Sequence, residues 1–228
     1  MSRTMIDSTD RDSTRKRLLE AAGEVFADHG FHAATIQLIC QKAGANIAAV
    51  NYYFGSKENL YYETIKFGRS KTASLDSALP PELSTDDPEK ALRQFIRAYL
   101  DALLSTERPK WLLRIMAREF IEPTPALDRF IEDVIQPWMG RLTQIVATFS
   151  PAKLPERQLN LIAQSVVGQC HFFFKCQAVI LRLRGKDVKD GYDSSDIDEF
   201  EKHVTAFSIG GIRSLIGQTT ADKIHRSN

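Results

Sequence analysis

From Ser13 onward, apolar residues recur at spacings of three and four, the signature of helices with one buried face. Leu18, Ala22, Val25 and Phe26 mark the first helix, and Gly30 supplies its C-terminal stop. Thr35 is placed to cap a second helix carrying Ile36 and Ile39 that ends before Gly44. Asn46 caps a short third helix, and Ser56 a fourth that runs from Lys57 to about Ala78. Pro80-Pro81 and the residues to Asp87 read as a linker or long turn. After Pro88 the pattern predicts a helix to about Ser105 that buries Leu92, Phe95, Ile96, Tyr99 and Leu103, and a shorter one over Lys110 to Ile121. A third segment, Thr124 to Phe149, contains Pro137, which kinks or divides it. Pro155 to about Leu183 is apolar around most of its circumference from Leu159, and a last helix covers Ser194 to about Ile216. No β-type alternation is sustained, so the fold class is all-α. A polar tail over residues 1–12 precedes a small three-helix unit over 13–56. The fourth helix links it to a larger helical bundle over 57–228.

Composition adds boundaries more than identity. The chain has 228 residues, 43% of them hydrophobic, enough for a sizeable core. No run of about 18 apolar residues offers a membrane span, and the charged N-terminus lacks the apolar stretch of a secretory signal. Three cysteines, Cys40, Cys170 and Cys176, are few, odd in number and set in apolar surroundings, as in a reduced cytoplasmic protein. The net charge of +1 neither demands nor excludes a nucleic-acid partner.

The chemistry concentrates between Thr35 and Lys57. Two short helices joined by a tight glycine turn, backed by a longer first helix, are the ingredients of a helix-turn-helix unit. Gly44 supplies the backbone conformation of a sharp turn. Ala48 and Ala49 leave the third helix slim enough for its backbone to approach base edges. Asn51 carries a donor and an acceptor that match adenine. Tyr52 and Tyr53 offer hydroxyls to phosphate oxygens. Lys57 stands at a helix N-terminus, where a cation gains nothing from the helix dipole and a nearby anion would account for it. Arg15, with Lys16 and Arg17, heads the first helix in the same unfavourable sense. The plainer reading, a corner of a helical protein whose tyrosines cover a core edge and whose basic triplet is simply solvated, stays open on spacing alone.

The segment from Thr14-Arg15 to Tyr61 resembles the DNA-binding domain of the TetR/AcrR repressors. The run NYYFGSK, Asn51 to Lys57, and the spacing Thr35, Gly44, Tyr52-Tyr53-Phe54, Lys57 carry the resemblance. REFIEPTPALDRFIEDVIQP, Arg118 to Pro137, together with NIAAVNYYFGSKENLY, is similar to the CecR-like branch. The resemblance implies phosphate contacts from Thr35, Asn46, Tyr52, Tyr53 and Lys57, and base-edge contacts from Gln37, Ile47, Ala48 and Asn51. Asn51 stands where the family often has tyrosine, and Tyr53 where it often has histidine. It further implies a ligand-released repressor that binds a palindromic double-stranded operator as a homodimer, with no cofactor.

The C-terminal helices suit the two jobs the resemblance assigns them, dimerisation and sensing of a small-molecule effector. Ile197, Phe200, Val204, Phe207, Ser208, Gly211, Ile212 and Leu215 form a broad stripe on the last helix, and the helix before it needs partners on two faces. For an effector pocket the candidates are Trp111, Arg114, Arg118, Trp138, Gln169 and Phe173, apolar surfaces with a few polar groups. Gln169 sits in an otherwise apolar series, so it must find a hydrogen-bond partner, in the bundle or on a ligand. Catalytic chemistry finds little support. Cys170 and His171 are adjacent and point about 100° apart on a helix. His29 and His32 straddle a glycine, which spoils a metal pair. Glu119 with Glu122, and Asp128 with Glu132, read as solvated helix faces. The competing readings are a small helical enzyme and a protein-interaction module without DNA preference.

Overall fold

The computed structural model describes the backbone of residues 3–71, 87–104, 108–150, 154–189 and 191–226. Among these residues there is no strand. The helices are α1 (Arg3–Ala33), α2 (Ile36–Ala43), α3 (Ile47–Phe54), α4 (Lys57–Ser70), α5 (Pro88–Leu104), α6 (Lys110–Glu119), α7 (Pro125–Phe130), α8 (Gln136–Ala147), α9 (Glu156–Lys175), α10 (Gln177–Leu183) and α11 (Ser194–Arg226). The residues Pro80-Pro81 to Asp86 and the end expected for α4 near Ala78 lie outside the described residues. The chain forms two compact units, Met1–Thr72 with Glu107–Ile135, and Ala73–Thr106 with Gln136–Asn228.

In the first unit, α2, α4 and α6 pack on α1, α3 packs on α2 and α4, and α7 on α4. Leu18, Leu19, Ala22 and Phe26 of α1, Ile39 of α2, Val50 of α3, and Leu60 and Ile65 of α4 are all buried. The expected polar tail is helical in its backbone, for α1 begins at Arg3, and no glycine or proline before Gly23 opposes the extension. Gly30 breaks α1 at φ 76°, a conformation costly for any residue with a Cβ. Gly23 and Gly68 serve another purpose: a Cβ at either would lie 2.5 or 2.6 Å from the Trp111 ring. The two glycines are the slot into which the indole of α6 fits.

The second unit buries Leu92, Phe95, Ile96 and Leu100 of α5 against Leu142, Ile145 and Val146 of α8, Ile162, Val166 and Cys170 of α9, and Phe200, Val204 and Ile212 of α11. Its α11 opens on a reciprocal cap. The Asp193 carboxylate accepts from the Asp196 N–H at 2.9 Å and the Asp196 carboxylate from the Asp193 N–H at 3.1 Å. Lys186 bonds both carboxylates, and Arg184 bonds Asp196 at 2.9 Å, so the buried Asp196 is fully paired.

Besides the early start of α1, three helix boundaries differ from the expected pattern: α11 runs on to Arg226, ten residues past the end expected at Ile216, and two segments break. The segment around Pro137 divides, and it does so upstream of the ring. Ile131–Ile135 form one π-helical turn before Pro137, which has no N–H for the Asp133 carbonyl and whose ring crowds that carbonyl. The expected continuous helix from Pro155 to Leu183 breaks at Cys176, whose φ and ψ are −100° and 16°. With neither glycine nor proline to announce it, that break is invisible to pattern reading. No helix among the described residues is long and apolar enough to cross a membrane.

Candidate DNA-reading site

Three side-chain caps build the site. The Thr35 hydroxyl accepts from the Leu38 N–H at 3.1 Å, the Asn46 amide oxygen from the Ala49 N–H at 2.8 Å, and the Ser56 hydroxyl from the Asn59 N–H at 3.1 Å. Each satisfies a donor that would otherwise be orphaned at a helix start. Gly44, in left-handed conformation at φ 62°, closes α2 and lets Ala45 donate to the Cys40 carbonyl at 3.0 Å. Gly55, at φ 72°, closes α3 by donating to the Asn51 and Val50 carbonyls. The interruptions expected at Gly44 and at Gly55-Ser56 are therefore the hinge pins of the unit.

Capping from both ends leaves one face of α3 outward. Val50 and Phe54 are buried, whereas Ile47, Ala48, Asn51 and Tyr52 are exposed, Tyr52 by 71%. Gln37 and Thr35 on and before α2 are exposed too. Ala49 is half-buried, so of the slim pair Ala48 alone stands fully outward. Tyr53 is also half-buried, its ring edge-on to Tyr52 with centroids 5.0 Å apart. That contact fixes two rings at the helix end at little entropic cost.

The two basic candidates have partners inside the unit. Arg15 reaches the Glu63 carboxylate at 2.8 Å and lies over the Phe54 ring at 5.6 Å. Lys57 donates to the His32 carbonyl at 3.2 Å and sits over Phe31 at 4.8 Å. Both tie α1 to the site. Each keeps further N–H donors, since an ammonium has three and a guanidinium five.

The segment around residues 18–64 matches the family described as "Bacterial regulatory proteins, tetR family". Residues 88–212, more than half of the chain, match "HTH-type transcriptional dual regulator CecR, C-terminal domain". The chain belongs to the TetR family, in its CecR-like branch. It is 29% identical over 182 residues to the HTH-type transcriptional dual regulator CecR of Shigella flexneri, covering 76% of this chain and 81% of that one. It is 33% identical over 94 residues to the HTH-type transcriptional repressor NicS of Pseudomonas putida, 41% of this chain and 43% of that one. Solved structures share the fold: the flavonoid-responsive regulator FrrA at TM-score 0.58, with 24% identity over 87% of this chain and 96% of that one. A TetR-like transcriptional regulator from Rhodococcus sp. RHA1 follows at TM-score 0.55, with 20% identity over 88% of this chain and 96% of that one. The TetR-family chain is therefore a DNA-binding transcription regulator, and its relatives are not enzymes, which removes the competing enzymatic reading.

The effector-pocket candidates of this TetR-family chain divide between its units. Trp111 is buried in the glycine slot, Arg114 pairs with Asp28 at 2.7 Å, and the Arg118 guanidinium lies against Gly30, all in the first unit. In the second unit Trp138 meets Tyr99 edge-on, Gln169 donates to the Ser208 hydroxyl at 3.2 Å, and Phe173 stacks on Phe200 with centroids 3.9 Å apart. Gln169 thus finds a partner within its own bundle. Phe173 and Phe200 also floor an open concavity of about 560 Å³ lined by Arg184, Glu199, Lys202 and His203.

Several polar residues of the first unit escaped sequence reasoning. Glu119, expected on a solvated face, is buried. It accepts from the Tyr61 hydroxyl at 2.7 Å and from the Thr124 hydroxyl at 2.9 Å. Burial, and then this carboxylate, push the Tyr61 phenol far above its ordinary range. Tyr62 donates to the Asp133 carboxylate, and burial with that bond raises its phenol to about 12. Consecutive tyrosines inside α4 are the signal, but their partners lie 58 and 71 residues away in the chain.

Proposed function

We propose that two copies of the chain assemble through α9 and α11 and set their α3 helices in successive major grooves of a palindromic operator, repressing transcription until a small-molecule effector releases them. The observation that carries this reading is the outward face of α3. Its backbone is capped from both ends by the chain's own residues, while Ile47, Ala48, Asn51 and Tyr52 face solvent. Gln37, Ile47, Ala48 and Asn51 then meet base edges. Thr35, Asn46, Tyr52, Tyr53, Lys57 and Arg15 meet phosphates, the last two through donors left over from Glu63 and His32.

Dimerisation draws support from the second unit. Leu161 and Phe172 stand exposed on one side of α9 with Ser165 and Gly168 between them. Phe207 stands exposed on α11 beside Gly210 and Gly211. Two such faces pair isologously about a two-fold axis. A symmetric dimer supplies the half-site spacing of about 34 Å that helix-turn-helix readers require. The effector belongs among the helices of the second unit, where Trp138, Gln169 and Phe173 offer aromatic and amide surfaces. Trp111, Arg114 and Arg118 already hold α6 in the first. The effector must bind the released conformer more tightly than the DNA-bound one, and that difference limits derepression. Such a regulator works in the cytoplasm. A gel-shift titration against an operator selected from random duplex DNA, with nonspecific competitor, tests the reading. A sequence-specific complex of two protomers per duplex is expected; a chain that binds all duplexes alike contradicts it.

A further inference from the structure

A chain of side-chain contacts in the first unit ends on the reading helix itself. The Asn59 amide nitrogen donates to the Phe54 carbonyl, the last of α3, at 3.0 Å. The Asn59 amide oxygen accepts from the Arg129 guanidinium of α7 at 3.1 Å. That guanidinium lies 3.8 Å from the centroid of the Tyr62 ring, and the Tyr62 hydroxyl is bonded to Asp133 in the π-helical turn. Because arginine only donates, the Asn59 oxygen must face it, and the donating end of the amide is thereby turned onto Phe54. Asn59 also lies at the start of α4, its backbone N–H held by Ser56. One amide therefore joins the end of α3, the start of α4 and the side of α7.

We propose that Arg129 is a positioning residue for DNA reading: through Asn59 it fixes the end of α3, and with it the outward set of Asn51 and Tyr52. The proposal rests on α3 being the reading helix. Arg129 is exposed, and its loss leaves no cavity. Asn59→Asp is the sharper variant. A carboxylate in the first turn of α4 suits the helix dipole and pairs better with Arg129, so the fold is retained. Yet it sets an acceptor against the Phe54 carbonyl, which keeps the Ser56 N–H at 2.8 Å but loses the donor that ties it to Arg129.

The test measures affinity of the full-length chain for an operator selected from random duplex DNA and for a nonspecific duplex, at 25 °C and fixed salt. The ratio of the two is the readout, since a change of net charge alters both affinities alike and cancels. Arg129→Ala and Asn59→Asp are each expected to lower the ratio about 3- to 10-fold, in line with the usual worth of one hydrogen bond. The double variant should lose no more than Asn59→Asp alone, and Arg129→Lys, which keeps charge without the planar fork, should recover only part of the ratio. Unchanged ratios, additive losses or full recovery with lysine would overturn the proposal. Asn51→Ala, measured alongside, separates the two claims. If it shifts base preference while Arg129→Ala does nothing, α3 reads DNA without the Arg129 tether.

Discussion

The first unit turns to solvent on α3 a face that carries hydrogen-bonding groups, and the second turns out large apolar side chains on α9 and α11. On α3 the outward residues are Ala48, Asn51 and Tyr52, with Ile47 beside them. On α9 and α11 they are Leu161, Phe172 and Phe207, the phenylalanines exposed by 57% and 66%. A hydrogen-bonding face with slim side chains suits base edges and phosphates, which bring their own polar groups. An apolar face is unstable in water and suits another apolar face, the simplest being its own copy. In the proposed reading the two faces divide the work of a TetR-family regulator: one selects the DNA, the other sets how far apart two selectors stand.

The largest effect should come from spoiling the apolar face. Replacing Phe172 and Phe207 together by aspartate leaves each protomer folded, because both are outside its core, but places unpaired carboxylates in any dimer interface. Sedimentation should find monomer, and operator affinity should fall by about 100-fold or more as one half-site is lost. A doubly substituted chain that stays dimeric breaks the comparison. Next comes the frame behind the polar face. Gly23→Ala drives a methyl into Trp111, which lies 2.5 Å from that position, and should cost about 1–3 kcal/mol, read as a fall in thermal midpoint of about 2–4 °C per kcal/mol. An unchanged midpoint would mean that α6 does not depend on the slot.

Smaller effects sharpen the contrast. Lys57→Ala should weaken specific and nonspecific binding together and reduce the salt slope by about one, the behaviour of a phosphate contact. A change in base preference instead would move Lys57 to the reading set. In the second unit, burial first and then Lys175 lower the pKa of His171, which shares a 2.7 Å hydrogen bond with Tyr99. A histidine depressed in the folded state favours folding fully only above its unfolded pKa, ordinarily 6.5. Thermal stability should therefore decline as the pH falls below that value, and His171→Gln should flatten part of the decline. A profile identical to the parent's would assign the pH dependence elsewhere.

How much of this was legible in the sequence follows the range of the forces involved. Caps and turns act over three or four residues, so Thr35, Gly44, Asn46 and Ser56 announced their helices directly, and Pro137 announced a division. The break at Cys176 has no local cause and could not be seen. Trp111 looked like a pocket residue because aromatic bulk is visible in sequence, whereas Gly23 and Gly68, which receive it, read as ordinary helix positions. Arg15 and Lys57 looked unpaired because Glu63 and the His32 carbonyl come near only in the fold. The Asn59–Arg129 contact, 70 residues apart in the chain, belongs to the same class. Local physics writes itself into sequence; long-range partnership does not.

The central claim, that the outward face of α3 reads bases, is tested most directly at Asn51. Binding of Asn51→Ala to an operator series substituted one base pair at a time should show preference relaxed at one position of each half-site, by about 1–3 kcal/mol, with the salt slope unchanged. An unaltered preference profile with a reduced salt slope would place Asn51 on the phosphate backbone and contradict the account.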